Sequence, residues 1–263
     1  MNALYTLDDS PWFEWIEMET IDSTNNFLKS YRPVSPKEMT LVSTDFQTAG
    51  RGQANNKWEA EAGKNVIYGI LIHPQFLTAN RQFAISQIAA LSAKEALEDY
   101  TDQLSIKWPN DIYWKDRKIG GMLIENTLCG KSIESSIVGI GLNINQEEFK
   151  SDAPNPVSLI QIIGHETERI FVLARAVERF KHYYQKLRNG EEELIARLYM
   201  QALYRNDGFY PYTDSNGQFE ARIAGVEPTG HLLLQDTAGE IRRYAFKEVR
   251  YLIPDTHHHL NTL

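Results

Sequence analysis

The chain has 263 residues, 42% hydrophobic and 24% charged, with a formal net charge of −8. That length suffices for a substantial core, as one large domain or as a large and a small one. The acidic balance disfavours nucleic acid, since phosphate binders usually carry a basic surplus; no basic-then-apolar leader and no membrane-length apolar run is visible, so a cytoplasmic protein is expected.

Residues 12–21 (WFEWIEMETI) read as an aromatic-rich strand. Asp22-Ser23-Thr24-Asn25 is helix-start chemistry ahead of NFLKSY, and 39–45 form a short strand. Residues 47–65 are polar, glycine-containing and aperiodic, and a loop that long within a domain is usually functional. NVIYGILI (65–72) reads as an apolar strand, and 81–99 as a helix through Phe83, Ile88, Leu91 and Leu97. Short strands follow as LSIKW, DIYW, KIGGMLIE and ESSIVGIGLNI, with Pro109-Asn110-Asp111 forming a hairpin turn. Residues 168–203 read as two helices broken at Asn189-Gly190. After about residue 205 the strands shorten (FEARIAGV, HLLLQD, IRRYAF, VRYLI), separated by the turns PTG and TAGE, which reads as a small five-stranded barrel. The boundary falls near Tyr204–Asp207.

The one cysteine, Cys129, cannot form an intramolecular disulfide or a thiolate zinc site and is expected to be packed. His257–His259 have no carboxylate or cysteine nearby and are a weak metal signal.

Three segments carry chemistry. In Gly50-Arg51-Gly52-Gln53, glycines let backbone N–H groups approach an anion, Arg51 adds a fork of donors, and Trp58 offers a flat face to a nucleobase. A loop with a tryptophan tucked onto the core would read the same, and neither the Walker nor the Rossmann fingerprint applies. In Lys107-Trp108-Pro109-Asn110-Asp111 and Lys118-Ile119-Gly120-Gly121, a lysine ahead of a glycine pair can meet an anion, although most lysines are merely solvated. In Gly139-Ile140-Gly141-Leu142-Asn143, glycines within a strand mark close approach or a bulge.

Together, and in this order, Ser23-Thr24-Asn25, Gln47, the Gly50-Arg51-Gly52 loop reaching Trp58, KWPND, the Lys118-x-x-Gly121 strand and Gly139-x-Gly141-x-Asn143 resemble the biotin protein ligase family. The resemblance is good over 12–145 and weaker towards the C-terminus. It implies an α+β fold: a mixed sheet packed with helices, of the class II synthetase or biotin-lipoyl ligase type, over 1–205, and a small SH3-like β-barrel over 206–263. It implies that Ser23, Thr24 and Gln47 bond the ureido ring of biotin, and that Gly50 and Arg51 cover its carboxylate and the phosphate. Lys118 would contact both anions, Gly121 and Gly139 would line the biotin tail, and Trp58, Asn110 and Asn143 would bind ATP or the adenylate. Asp111 would lie near the transfer site.

Lys118, Arg51 and Asp111 are thus the expected catalytic residues, ATP and biotin the substrates, and Mg²⁺ the accompanying ion with unknown ligands. The partner would be a biotin carboxyl carrier protein domain, with no DNA or membrane, and monomer versus homodimer open. Where the family loop often continues with arginines, this chain has Gln53-Ala54-Asn55-Asn56, so the lid over 47–64 would close on Arg51, backbone N–H groups and Trp58. The N-terminal DNA-binding domain of some members is not expected, since the first motif segment is reached by Asp22. A lipoate or octanoate ligase or transferase of the same architecture is the nearest alternative. A non-catalytic biotin sensor fits the retained Arg51 and Lys118 poorly, and an interaction module built on the barrel leaves 1–205 unexplained.

Overall fold

The computed structural model describes residues 12–53, 56–150 and 155–253. His257–His259 and the loop positions Ala54 and Asn55 lie outside them.

The chain runs β1 (Phe13–Ile21), α1 (Thr24–Ser30), β2 (Met39–Gln47), β3 (Val66–Ile72), α2 (Phe83–Glu98), β4 (Leu104–Lys107), β5 (Asp111–Trp114), β6 (Arg117–Cys129) and β7 (Ser132–Leu142). Then come α3 (Leu159–Ile163), α4 (Arg169–Arg188), α5 (Glu192–Ala202), β8 (Tyr210–Asp214), β9 (Gly217–Val226), β10 (Leu232–Asp236), β11 (Ile241–Tyr244) and β12 (Arg250–Tyr251). The first strands form a seven-stranded mixed sheet, β1-β2-β3-β7-β6-β5-β4. Only β1 and β2 run parallel, and α1 makes their crossover.

Alternation along the strands decides what each face carries. Met39, Leu41, Ile70, Ile72, Val138 and Ile140 point to one face, where α2 and α4 bury a large core with them. Val42, Leu71 and Ile137 point to the other and meet Leu28 of α1 in a small cluster. Helices α2 and α4 thus cover one face, while α1 covers only part of the other and leaves a groove over the ends of β6 and β7.

The smaller sheet is antiparallel in the order β11-β10-β9-β8-β12. It is tied to the larger body through Trp108, whose Nε1 donates to the Gly230 carbonyl at 3.0 Å, and through the Phe83 backbone N–H donating to the Pro228 carbonyl at 3.2 Å.

Sequence periodicity placed most of these elements within two residues. It omitted β8 and α3, which are short, and stopped β6 early at Glu125. The β6–β7 hairpin in fact extends to a turn at Gly130. Cys129 is exposed near that tip, contrary to the expectation of packing, because the hairpin projects beyond the helices that would cover it.

Phe180 of α4 is fully buried and stacks on Tyr184, with ring centroids 6.4 Å apart. Phe180→Ala should lower the unfolding free energy by roughly 3–5 kcal/mol, as for other buried aromatic truncations. Urea unfolding checks this, and a loss below about 1 kcal/mol would mean that α4 does not depend on that contact.

Candidate active site

The floor of the groove is made of glycine. Gly69 of β3 pairs with Gly139 of β7, and Gly141 of β7 pairs with Gly121 of β6, all on the α1 face. A methyl group on Gly139 would lie 2.0 Å from the Asn25 Oδ1, and one on Gly141 would lie 2.4 Å from the Trp58 ring. The start of α1 and the indole of Trp58 therefore rest directly on sheet backbone, which any side chain at these positions would prevent.

At one end of the floor, Ser23 is buried and occupies the N-cap position of α1 without making a side-chain capping bond. Gln47, the last residue of β2, accepts hydrogen bonds at Oε1 from the Thr24 backbone N–H at 2.8 Å and the Thr24 hydroxyl at 3.2 Å. Ser23, Thr24 and Gln47, three of the residues expected to act together, are thus neighbours lining one pocket.

At the other end stand a lysine and a carboxylate. The β5–β6 register shifts between Ile112 and Tyr113, so that Tyr113 pairs with Lys118 and Ile119 is the extra residue. In a regular strand Lys118 and Gly121, three residues apart, would point to opposite faces. The bulge reverses that and puts Lys118 on the face of Gly121 and Asp111. The Lys118 Nζ lies 2.6 Å from the Asp111 carboxylate, and a methyl group on Gly121 would meet both. Asn110 turns its side chain back on β6, its Nδ2 donating to the Met122 carbonyl at 2.5 Å.

Within the segment 47–65, expected to be an irregular loop, the described residues on either side of 54–55 pair as a short hairpin, and 58–65 carry no helix or strand. The Gly52 N–H donates to the Asn56 carbonyl at 2.7 Å, the Trp58 N–H to the Gly50 carbonyl at 3.0 Å, and Arg51 bridges Lys57. Gly50 is required here because a Cβ would lie 2.7 Å from the Trp58 carbonyl oxygen. The hairpin folds Trp58 onto Gly141, with the Lys118 ammonium 5.9 Å from the ring centroid. Free volume over the floor is about 50 Å³, well below the ~300–1,000 Å³ of small-molecule pockets.

Arg51 lines the pocket, but its fork is engaged: it donates to both Glu125 oxygens at 2.9 and 3.2 Å and to the Asn26 Oδ1 at 2.9 Å. The Asn25 Nδ2 donates to the same carboxylate at 2.9 Å. Burial alone would raise the Glu125 carboxyl, but hydrogen bonds from Asn25 and Arg51 outweigh it and hold the group below its ordinary range.

Asn143 stands apart from the pocket lining. It is buried just beyond β7, its Nδ2 donating to the Val157 carbonyl at 3.0 Å, while its Oδ1 has no hydrogen-bond partner among the described residues.

Three residues given no role from sequence belong to this constellation. Asn25 and Glu125 join α1 to the hairpin, and Glu125 was detectable as the outward residue two and four places beyond Leu123 and Gly121 on one strand. Lys107 pairs with Asp111 across β4–β5, its ammonium 5.2 Å from the Tyr113 ring centroid and 5.0 Å from that of Tyr251. Burial pushes that ammonium's pKa down. Among the described residues there is no group of three or more His, Cys, Asp or Glu side chains arranged to hold a metal ion.

The chain is similar to proteins of known family and structure. Residues 17–143 match the Biotin/lipoate A/B protein ligase family. A biotin–[acetyl-CoA-carboxylase] ligase of Paracoccus denitrificans is 30% identical over 83% of this chain and 92% of its own. The bifunctional ligase/repressor BirA of Bacillus subtilis is 28% identical over 86% of this chain and 71% of its own. In structure, the chain resembles a biotin protein ligase from Aquifex aeolicus, solved in complex with biotin and ATP, with a TM-score of 0.75 and 25% identity over 91% of this chain and 99% of that one.

Because the folded-state pKa of Glu125 is depressed, its contribution to stability is full above the unfolded value and is lost as pH falls through the folded one. The stability difference between wild type and Glu125→Gln should therefore be constant at neutral pH and shrink on the acid side of the ordinary carboxylate range. Urea unfolding as a function of pH reads this directly. A difference that grows on acidification would show that the Asn25 and Arg51 hydrogen bonds do not hold the carboxylate in its charged form.

Proposed function

The chain belongs to the biotin protein ligase family, and on that premise we propose that it joins biotin to ATP as biotinyl-AMP and passes the biotinyl group to a lysine of a biotin carboxyl carrier protein. The observation that carries this reading is the glycine floor, with hydroxyl and carboxamide groups at one end and Lys118 swung over Gly121 at the other. A urea ring needs both donors and acceptors, which Ser23, Thr24 and Gln47 supply. A thin acyl chain needs wall positions that carry no side chain of their own, and Gly121 and Gly139 are such positions in the pocket lining. A carboxylate approaching a phosphate needs a cation, which Lys118 supplies.

In the first step a biotin carboxylate oxygen attacks the α-phosphorus, and the bond to the bridging oxygen breaks as pyrophosphate leaves. Lys118 offsets the charge gathering on carboxylate and phosphoryl oxygens. Its partner Asp111 then becomes free to orient the acceptor. In the second step the lysine amine, having lost one proton from its ammonium form, attacks the acyl carbon. The acyl–oxygen bond breaks, AMP leaves, and a second proton departs to give the neutral amide. Asp111 is the carboxylate beside this path. Trp58 stacks on adenine and Asn110 supports the nucleotide end, while Asn143, outside the pocket lining, holds the Val157 segment beneath it. Arg51 holds the lid hairpin through Glu125 and reaches the anions when the hairpin rearranges. The lid keeps water from the mixed anhydride.

Magnesium needs only one or two protein carboxylates when phosphates and water complete its shell. Asp111, a carboxylate of the pocket lining, would hold it during the first step only, where the ion would neutralise phosphate charge, and would be free for the acceptor after pyrophosphate has left.

Incubation with biotin, ATP, Mg²⁺ and a carrier domain, read by mass spectrometry, tests the reading as a whole. The carrier should gain one biotinyl group, and modification by lipoate or octanoate instead would assign the chain to the other branch. Lys118→Ala should cost about 2–4 kcal/mol of transition-state stabilisation, or roughly 30- to 1,000-fold in biotin-dependent pyrophosphate release, with the fold intact. A near wild-type rate would remove Lys118 from the mechanism. Trp58→Ala should weaken ATP binding by about 1–3 kcal/mol and biotin binding by less. Equal losses in separate titrations would mean that Trp58 only props the hairpin.

A further inference from the structure

The bulge that aims Lys118 lies where the sheet runs out on one side. The last β6–β7 pair is Gly120 with Leu142, so residues 117–119 of β6 have no β7 residue paired with them. Residues 155–157 take that place. They run parallel to β6 and bridge Lys118 at Pro156. The Lys118 N–H donates to the Asn155 carbonyl at 2.8 Å, and the Val157 N–H donates to the Lys118 carbonyl at 2.9 Å. The carbonyl of Ile119, the extra residue of the bulge, accepts the Asn143 N–H at 2.8 Å. Backbone groups that a bulge at the end of a strand would leave unpaired are thus met from outside the sheet.

Two side chains fasten this strap. Arg117 donates from Nη2 to the Pro156 carbonyl at 2.8 Å, and Asn143 donates from Nδ2 to the Val157 carbonyl at 3.0 Å. Neither residue lines the pocket. Val157 is fully buried in the same core as Ile119 and Ile144. Beyond it the Leu159 N–H donates to the Asn143 carbonyl at 3.0 Å as the chain enters α3. The alternative to the bulge is a regular strand, reached by a slip of one residue, and that slip would carry Lys118 to the helix-covered face. It would also move the Lys118 N–H and carbonyl away from Asn155 and Val157, so the strap opposes it.

We infer that residues 155–157, fastened by Arg117 and Asn143, position Lys118 for adenylation, which makes Arg117 and Asn143 positioning residues of that step. Both act through the register of β6. The inference rests on the ligase reading for the role of Lys118, whereas the strap itself stands on the backbone pairing.

Arg117→Met and Asn143→Ala each remove one fastening, and Arg117→Lys keeps a donor. In biotin-dependent exchange of pyrophosphate into ATP, the first two should lower kcat by about tenfold to a hundredfold, the cost of a reacting group misplaced by roughly an ångström. KM for biotin and for ATP should stay within about twofold. Arg117→Lys should recover most of the loss. In a Lys118→Ala background neither substitution should slow the reaction by more than a further factor of about two, because residues that act through one group are not additive. Amide hydrogen exchange of the unliganded protein reads the strap without the reaction: Lys118 and Val157 should exchange about tenfold faster or more in both variants, with the amides of α2 and α4 unchanged. Equal losses with and without Lys118 would overturn the inference, as would wild-type kcat in both variants. A raised KM for ATP at unchanged kcat would overturn it by giving these side chains to the nucleotide. Retained protection of Lys118 and Val157 in both variants would overturn the strap. If wild type shows no biotin-dependent exchange, the ligase reading fails, and the amide measurement still decides whether the strap holds Lys118.

Discussion

The site depends on a patch of central sheet with no side chains. Gly69, Gly121, Gly139 and Gly141 are neighbours on one face, in three adjacent strands. Interior sheet glycines weaken strands and normally lose to β-branched residues. Here the cost is offset around them: the opposite face of the same strands packs Ile70, Val138 and Ile140 against α2 and α4. The helix-covered face stabilises the sheet, and the bare face is left for chemistry. Because the floor is backbone, α1 sits close enough for Asn25 to reach across Gly139 to the Leu123 carbonyl and Glu125.

Each positive group over that floor already has a carboxylate. Lys118 is held by Asp111, and Arg51 by Glu125. Such pairs keep part-buried charges compensated, since an isolated charge there would be costly. They also set a condition on binding, because an anionic substrate must compete with a protein carboxylate for each cation. The two pairs differ in consequence. Releasing Lys118 frees Asp111 within the pocket, whereas releasing Arg51 undoes the link among hairpin, α1 and β6. The Lys118–Asp111 pair lies within β5 and β6, whereas the Arg51–Glu125 pair joins the hairpin to β6.

The smaller sheet is more than an appendage. Its β9–β10 turn accepts the Trp108 indole N–H and the Phe83 backbone N–H, and Trp108 belongs to the turn that carries Asn110 into the pocket lining. Lys107, next to Trp108, lies against Tyr251 of β12. The KWPND turn is thus gripped from the pocket side and from the small sheet, so movement of one body is felt at Asn110 and Asp111.

Much of this was legible in the chain itself. Period-two and period-3.6 hydrophobic patterns are local and strong in long elements, which is why β3, α2, α4 and α5 were placed closely, while short α3 and β8 left no comparable signal. The ordered motifs named Ser23, Thr24, Gln47, Trp58, Asp111, Lys118 and the glycines Gly121, Gly139 and Gly141, and the fold brings all of these into one pocket lining. Direction and partnership were not legible. The strand period alone would aim Lys118 away from Gly121, and only the β5–β6 register introduces the bulge that turns it back. Arg51 looked free for an anion, but Glu125, remote in sequence, is brought opposite it by the pairing of β6 with β7 and the seat of α1 on Gly139. Sequence by itself determined which groups could do the chemistry, since hydrogen-bonding capacity and charge belong to each residue. Tertiary structure decided which of them face one another, since register, bulges and packing are set by contacts between segments that the chain's local pattern does not encode.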